Sequence, residues 1–250
     1  MKKMKRNVCI LPGMAATGCL VAGILCSSAA AEVIPFSEAI VLLEENTTDG
    51  DLGFHLKADG EGWERVILMD SKYHRLLDVK VKGRLGKFIG LTELFSESAE
   101  PGFDEFPRED FLSLFPEGVY QFFGRTLEGD WLVGSTELTH DIPDGPEITS
   151  PEEDEEVDPN SDLSLEWNFN ADPNPPDSII EFYEVVVEKD EEEERLRVFS
   201  VHMLATDSSV RIPAEFFEPG RDYKVEVIAQ ETSGNRASSE IEFETTGDDD

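Results

Sequence analysis

The chain has 250 residues, 55 of them Asp or Glu against 21 Lys or Arg, for a net charge of -34. That length allows one large or two small domains, and an apolar fraction of 39% is adequate for packed cores. A surface so acidic repels phosphate backbones and anionic lipid. It therefore argues against nucleic acid and anionic membrane surfaces as partners, and it suits a cation, a basic partner or solubility in salty surroundings.

The first 31 residues reverse the balance. Lys2, Lys3, Lys5 and Arg6 are their only charges, and without them 17 basic residues face 55 acidic ones, a net charge of -38. Val8 to Cys26 is largely apolar, and Ala29 and Ala31 match an A-x-A cleavage site, so residues 1–31 read as an export signal removed after Ala31. Two alternatives stand beside it. The apolar run is long enough to remain as an uncleaved membrane anchor, and Cys19 or Cys26 would serve a lipoprotein, although neither lies in a good lipobox. Cys9, Cys19 and Cys26 are the three cysteines of the chain. The mature protein then has neither thiol nor disulfide, and each domain is held by its own core.

Residues 32–145 carry short apolar runs between turn signals. Ala39 to Leu43 is the first, and Leu52 to Leu56 follows a Thr-Asp-Gly-Asp turn. Trp63 to Met69 follows Asp59-Gly-Glu-Gly62, which reads as a second turn. Leu77, Val79 and Val81 alternate with polar residues, and Leu91 to Phe95 is a further candidate. Such spacing predicts an antiparallel sandwich or barrel. One short helix is expected over Pro107 to Phe115, with Pro at its first position and acids in its first turn. Phe115-Pro-Glu-Gly-Val-Tyr120 then opens a strand on a Tyr after a turn, and Trp131 to Thr139 is its hairpin partner.

Pro143, Gly145, Pro146 and Pro151 mark a boundary. Beyond it, Pro146 to Pro151 reads as a short strand and Glu152 to Glu156 as an acidic loop. Leu163, Leu165 and Trp167 form one inward row, and Asn170 to Asp177 is a rigid loop. Tyr183, Val185 and Val187 form the next row, ending at an acidic tip, Asp190 to Glu194. Arg195 to His202, then Val210 and Ile212, supply further strands. Phe217-Glu-Pro-Gly220-Arg-Asp-Tyr223 opens a strand whose inward residues are Tyr223, Val225, Val227 and Ala229, with Ile241 and Phe243 closing the set. A Tyr just after a tight turn is the sequence form of a tyrosine corner, whose hydroxyl bonds back to upstream backbone. The first half repeats the order with Tyr120, which suggests two related sandwiches in tandem.

On these residues, 146–246 resembles a fibronectin type III domain. The resemblance rests on Trp167, Tyr183, the Phe217-to-Tyr223 run and the tail Ala229 to Ser238. Residues 32–145 resemble only a generic immunoglobulin-like sandwich. The resemblance implies an all-β fold and a spacer or binding module of extracellular proteins, with no catalytic residues to carry over. Tyr223, Trp167, Tyr120 and Gly220 are then structural residues. Residues 247–250 form an acidic tail.

Among chemistry-bearing groups, Glu44 to Asp51 is the strongest. Calcium takes six to eight oxygens, and Glu45, Asn46, Asp49 and Asp51 could converge on one from a strand end and its turn. Asp-Gly-Asp is equally good hairpin chemistry. Asp59 to Trp63 is a weaker version of the same pattern. His55, His74, His140 and His202 fit no zinc spacing, and no hydrolase, metalloprotease or phosphate-loop motif occurs. Trp63 and Trp131 either stack on a sugar or, as large residues near strand ends, pack in the core or at an edge. The sequence thus predicts an exported, non-catalytic binding or spacer protein, periplasmic or extracellular, contacting a protein or a polysaccharide. A calcium-dependent adhesion or matrix component is the alternative, and a hydrolase the least supported.

Overall fold

Alternating apolar residues dictate strands, and strands dominate. The computed structural model describes residues 31–168, 179–190 and 195–247. The first half runs β1 (Val33–Pro35), β2 (Glu38–Asn46), β3 (Asp51–Met69), β4 (Arg75–Lys80), α1 (Gly83–Phe88), β5 (Leu91–Glu97), α2 (Arg108–Leu114), β6 (Gly118–Thr126) and β7 (Trp131–Leu138). The second runs β8 (Glu147–Ser150), β9 (Glu155–Val157), β10 (Leu163–Asn168), β11 (Ile180–Asp190), β12 (Arg195–Leu204), β13 (Ser209–Ile212), β14 (Asp222–Glu231) and β15 (Arg236–Thr245).

The first half is organised by β3. Asp59-Gly-Glu-Gly62, expected as a turn between two strands, lies inside this single strand of 19 residues. The segment bends the strand instead of reversing it. Up to Asp59, β3 pairs with β2 and β5; from Arg65 on it pairs with β4 and β6, with pairing irregularities between Asp59 and Arg65. Glycine serves close approach here. A Cβ on Gly124 would stand 2.8 Å from the Phe36 ring, and one on Gly134 would stand 2.6 Å from the Ala39 Cβ of β2, so β7 packs directly across β2. Trp63, Tyr120, Phe122, Leu43, Leu52 and Leu68 fill the enclosed core.

The expected helix begins one residue later than its pattern. Pro107, at ψ 139°, is still extended, so the helical residues are Arg108–Leu114 and Phe111 supplies the buried contact. The structure adds a second short helix, α1, which buries none of its residues and so left no apolar period in the sequence.

In the second half, β8, β10 and β13 form a three-stranded sheet that faces β11, β12, β14 and β15. This is the sandwich the fibronectin type III resemblance implies. Trp167 packs on Tyr183 at 5.5 Å between ring centres, and Tyr223 stacks on Phe243 at 5.4 Å. The acidic run after Pro151 is not wholly a loop, because β9 joins β15 in parallel. The loop expected over Asn170–Asp177, most of the acidic tip expected over Asp190–Glu194, residues 248–250 and the export signal expected over residues 1–31, apart from Ala31, lie outside the described residues.

The two cores share a sheet. Arg236 to Ser238 at the start of β15 pairs in parallel with Glu44 to Asn46 of β2, giving one twelve-stranded sheet that runs through both halves. Asn235, 1% exposed, closes the seam. Its Oδ1 accepts the Leu43 N–H at 2.9 Å, and its Nδ2 donates to the carbonyls of Thr139 and Asp141, both at 3.0 Å.

Candidate functional site

The two tyrosine turns are built alike but bonded differently. The Tyr223 hydroxyl accepts the Glu218 N–H at 2.8 Å, while the Tyr120 hydroxyl donates to the Pro116 carbonyl at 3.0 Å. The partners also differ in position: the second turn is bonded five residues back and the first four, at Pro116, which can offer only its carbonyl, while the Phe115 N–H is taken by the Leu112 carbonyl. Gly220, at φ 63°, supplies the left-handed residue of the second turn and donates to the Thr245 carbonyl at 3.1 Å.

The calcium set of the sequence reading divides between two faces. Neighbouring residues on a strand point to opposite sides, so Glu45 leaves the turn and its carboxylate accepts from Arg108 Nε of α2 at 2.8 Å. Asn46 Oδ1 accepts the N–H groups of Thr48 and Asp49 at 3.0 and 3.1 Å, closing the β2–β3 turn, and Asn46 Nδ2 reaches Asp49 Oδ2 at 3.4 Å. Asp51 pairs with Asn46 across the hairpin. Burial first, then Glu100 and Asp49, lift the Asp51 carboxyl to about 6. Asn46, Asp49 and Asp51 therefore gather at the turn while Glu45 is committed to Arg108.

The two tryptophans also separate. Trp63 is wholly buried, whereas Trp131 is 47% exposed. A hairpin with Gly129 at φ 95° delivers Trp131 as the first residue of β7. Directly opposite on β6 stands Arg125, its guanidinium 4.6 Å from the centre of the indole ring. Register carries the row further: Arg125 faces Arg65 of β3, and Arg65 faces Lys80 of β4. Three cations and an exposed indole thus line up across four adjacent strands, on a sheet whose strands are about 4.8 Å apart. They edge a groove of about 260 Å³ that is also lined by Ile67, Phe123, Gly124 and one carboxylate, Glu64. Asp78 fixes Arg65 through a two-pronged pair at 2.6 and 2.7 Å and lies under the pull of Arg65, which holds its carboxyl below the usual range. Three cations stand there against two carboxylates, Glu64 and the Asp78 that holds Arg65, so in a chain of this net charge the row leans locally positive.

This arrangement suits an anionic ligand with a flat apolar face. Indole stacks on such a face, and guanidinium and ammonium groups take carboxylates. Sequence reasoning singled out Trp131 but missed Lys80, Arg65 and Arg125, because only strand register brings them to it.

No family model matches the chain, and no curated protein matches it. Among solved structures it is similar to the FN1-FN3 domains of chicken CNTN1, at 14% identity and a TM-score of 0.35, over 87% of this chain and 66% of that one. The two fibronectin type-III domain segment of chicken tenascin is matched at 11% identity and a TM-score of 0.29, over 83% and 98% of the two chains. The BSP domain of a biofilm associated protein is matched at 13% and 0.27, over 84% of this chain and 29% of that one. The chain thus spans just under two thirds of the CNTN1 segment and less than a third of the BSP-domain chain. Among the described residues no helix is long and apolar enough to cross a membrane.

Proposed function

We propose that the protein is an exported, non-catalytic binding module, acting in the periplasm or outside the cell, that holds an acidic polysaccharide in the groove beside Trp131. The observation that carries this reading is the register-aligned row of Lys80, Arg65, Arg125 and Trp131. Sugar rings present the apolar face that stacks on an indole, and uronate carboxylates answer the cations. The rest of the acidic surface repels the same polymer, so it binds at one place in one register.

The test is direct. Trp63 and Trp167 are buried, so a change in indole emission on adding a polyuronate reports Trp131. Measured by calorimetry, which does not depend on the indole, polyuronate binding should weaken at least about tenfold in Trp131→Ala and Arg125→Ser with melting temperature unchanged, and should fall with added salt. A polyuronate affinity equal in both variants and the parent would remove the groove as the site, and an equal affinity for a neutral glucan would remove the acidic specificity.

A further inference from the structure

His55 and Glu97 oppose each other across the β3–β5 pairing, which sets their Cβ atoms about 5 Å apart. Gly53 lies two residues back on the same face of β3. A Cβ there would overlap Glu100 Oε1 and stand 3.1 Å from His55 Nε2, so the missing side chain is what lets Glu100 fold over the strand and meet the imidazole. His55 Nε2 and one oxygen each of Glu97 and Glu100 then lie within 4.8 Å of one another.

Acids cluster often in a chain this acidic, and their proximity alone means little. His55 is the second observation. It is 8% exposed, and its Nε2 points at the carboxylates yet makes no hydrogen bond. Glu100 Oε1 stands 3.6 Å away. That gap is long for a hydrogen bond, but it is the span of two ligands held about 2.0–2.1 Å from one zinc ion at an angle of roughly 120°.

We propose that His55, Glu97 and Glu100 form a mononuclear site for a divalent transition-metal ion, with zinc the ion their donors fit best. An imidazole nitrogen with two carboxylates suits zinc, whereas calcium takes oxygen donors in greater number. The two carboxylates balance the charge of the ion. Their side chains are on the exposed side of the cluster, so they have room to close the remaining distance, and a fourth position stays open to water. The site is distinct from the Trp131 groove and stands or falls without it.

The experiment is a calorimetric titration of the chelator-treated whole chain with zinc, in salt sufficient to screen diffuse acidic binding. One equivalent should bind with micromolar or tighter affinity, and cobalt in its place should give the visible absorption bands of a four-coordinate ion. His55→Gln and Glu100→Gln should each weaken zinc about tenfold or more, while Glu152→Gln, at a distant acidic loop, should not. If the buried His55 variant fails to fold, Glu97→Gln and Glu100→Gln decide the matter, since neither residue is buried. No saturable zinc uptake, an affinity equal to the parent's in the folded variants, or displacement of zinc by an equal concentration of calcium would overturn the site.

Discussion

The two halves bury their aromatic residues by different means. The second half is a sandwich of three strands on four, with the short β9 added along β15, and its inward residues largely sit at alternate strand positions. The first half wraps its core with one long bent strand, and glycines at 124 and 134 bring neighbouring strands onto Phe36. Regular alternation makes a modular sheet. A bent strand instead supplies extra faces, and both candidate sites, the Trp131 groove and the His55 cluster, lie against β3. The contrast teaches that irregular pairing along one strand brings together residues far apart in sequence, which regular alternation in the second half does not do.

The largest effect that would break this contrast is loss of the second core. Trp167→Ala should cost about 3–5 kcal/mol. It also leaves Trp63 and Trp131, both in the first half, as the only tryptophans, so emission then follows that half alone while circular dichroism follows the whole chain. The shared sheet predicts coincident transitions by the two probes. If emission keeps its original midpoint while the dichroism transition shifts, the halves are independent.

The seam itself is tested next. Asn235→Ala orphans the Leu43 N–H and two carbonyls at a buried position, for a cost of about 2 kcal/mol. Thermal unfolding should then separate into two steps. A variant that unfolds in one step at the parent's midpoint would show that the pairing of β2 with β15 does not depend on this amide.

Much of this was legible from residues, and the failures have a common cause. The second-half strands follow from alternation in runs such as Leu163-Ser-Leu-Glu-Trp167, where each residue declares its own face. Gly60-Glu-Gly62 was misread because a glycine pair signals backbone freedom without saying whether the chain reverses or bends. His55 and Glu97 are 42 positions apart and meet only through β3–β5 register, and Lys80, Arg65 and Arg125 are gathered by register in the same way. Spacing along the chain contains no information on such pairs. Asn46 could be placed in a turn from its type, but that its oxygen would be used by the backbone of that turn could not be read off.

Acidity should sharpen the role of the seam. Burial, with Glu44 and Glu240 nearby, lifts the Glu226 carboxyl to about 6, against the pull of Lys224 and a hydrogen bond to Ser238. A carboxyl whose pKa is raised on folding destabilises the fold where it is ionised, so the penalty is full above about pH 6 and is relieved as pH falls toward the unfolded value near 4.5. Glu226→Gln should therefore raise stability at pH 7.5 by about 1–2 kcal/mol and by little at pH 4.5. A gain equal at both pH values would mean that ionisation of Glu226 is not the cause.

The smallest effect separates the two tyrosine turns. Each hydroxyl makes one bond to upstream backbone, and a Tyr→Phe change removes it while leaving the ring packed. The groups left behind differ. Tyr223→Phe orphans the Glu218 N–H, a donor with a single proton; Tyr120→Phe orphans a lone pair on the Pro116 carbonyl, which has a second. Unpaired carbonyls are tolerated better than unpaired amides. Net hydrogen bonds are worth about 0.5–1.5 kcal/mol, so Tyr223→Phe should fall at the upper end of that range and Tyr120→Phe at the lower. Chemical denaturation of both variants measures the difference. An equal cost, or a larger one at Tyr120, would mean that the polarity of the bond does not matter and that the two turns are interchangeable despite the Pro at 116.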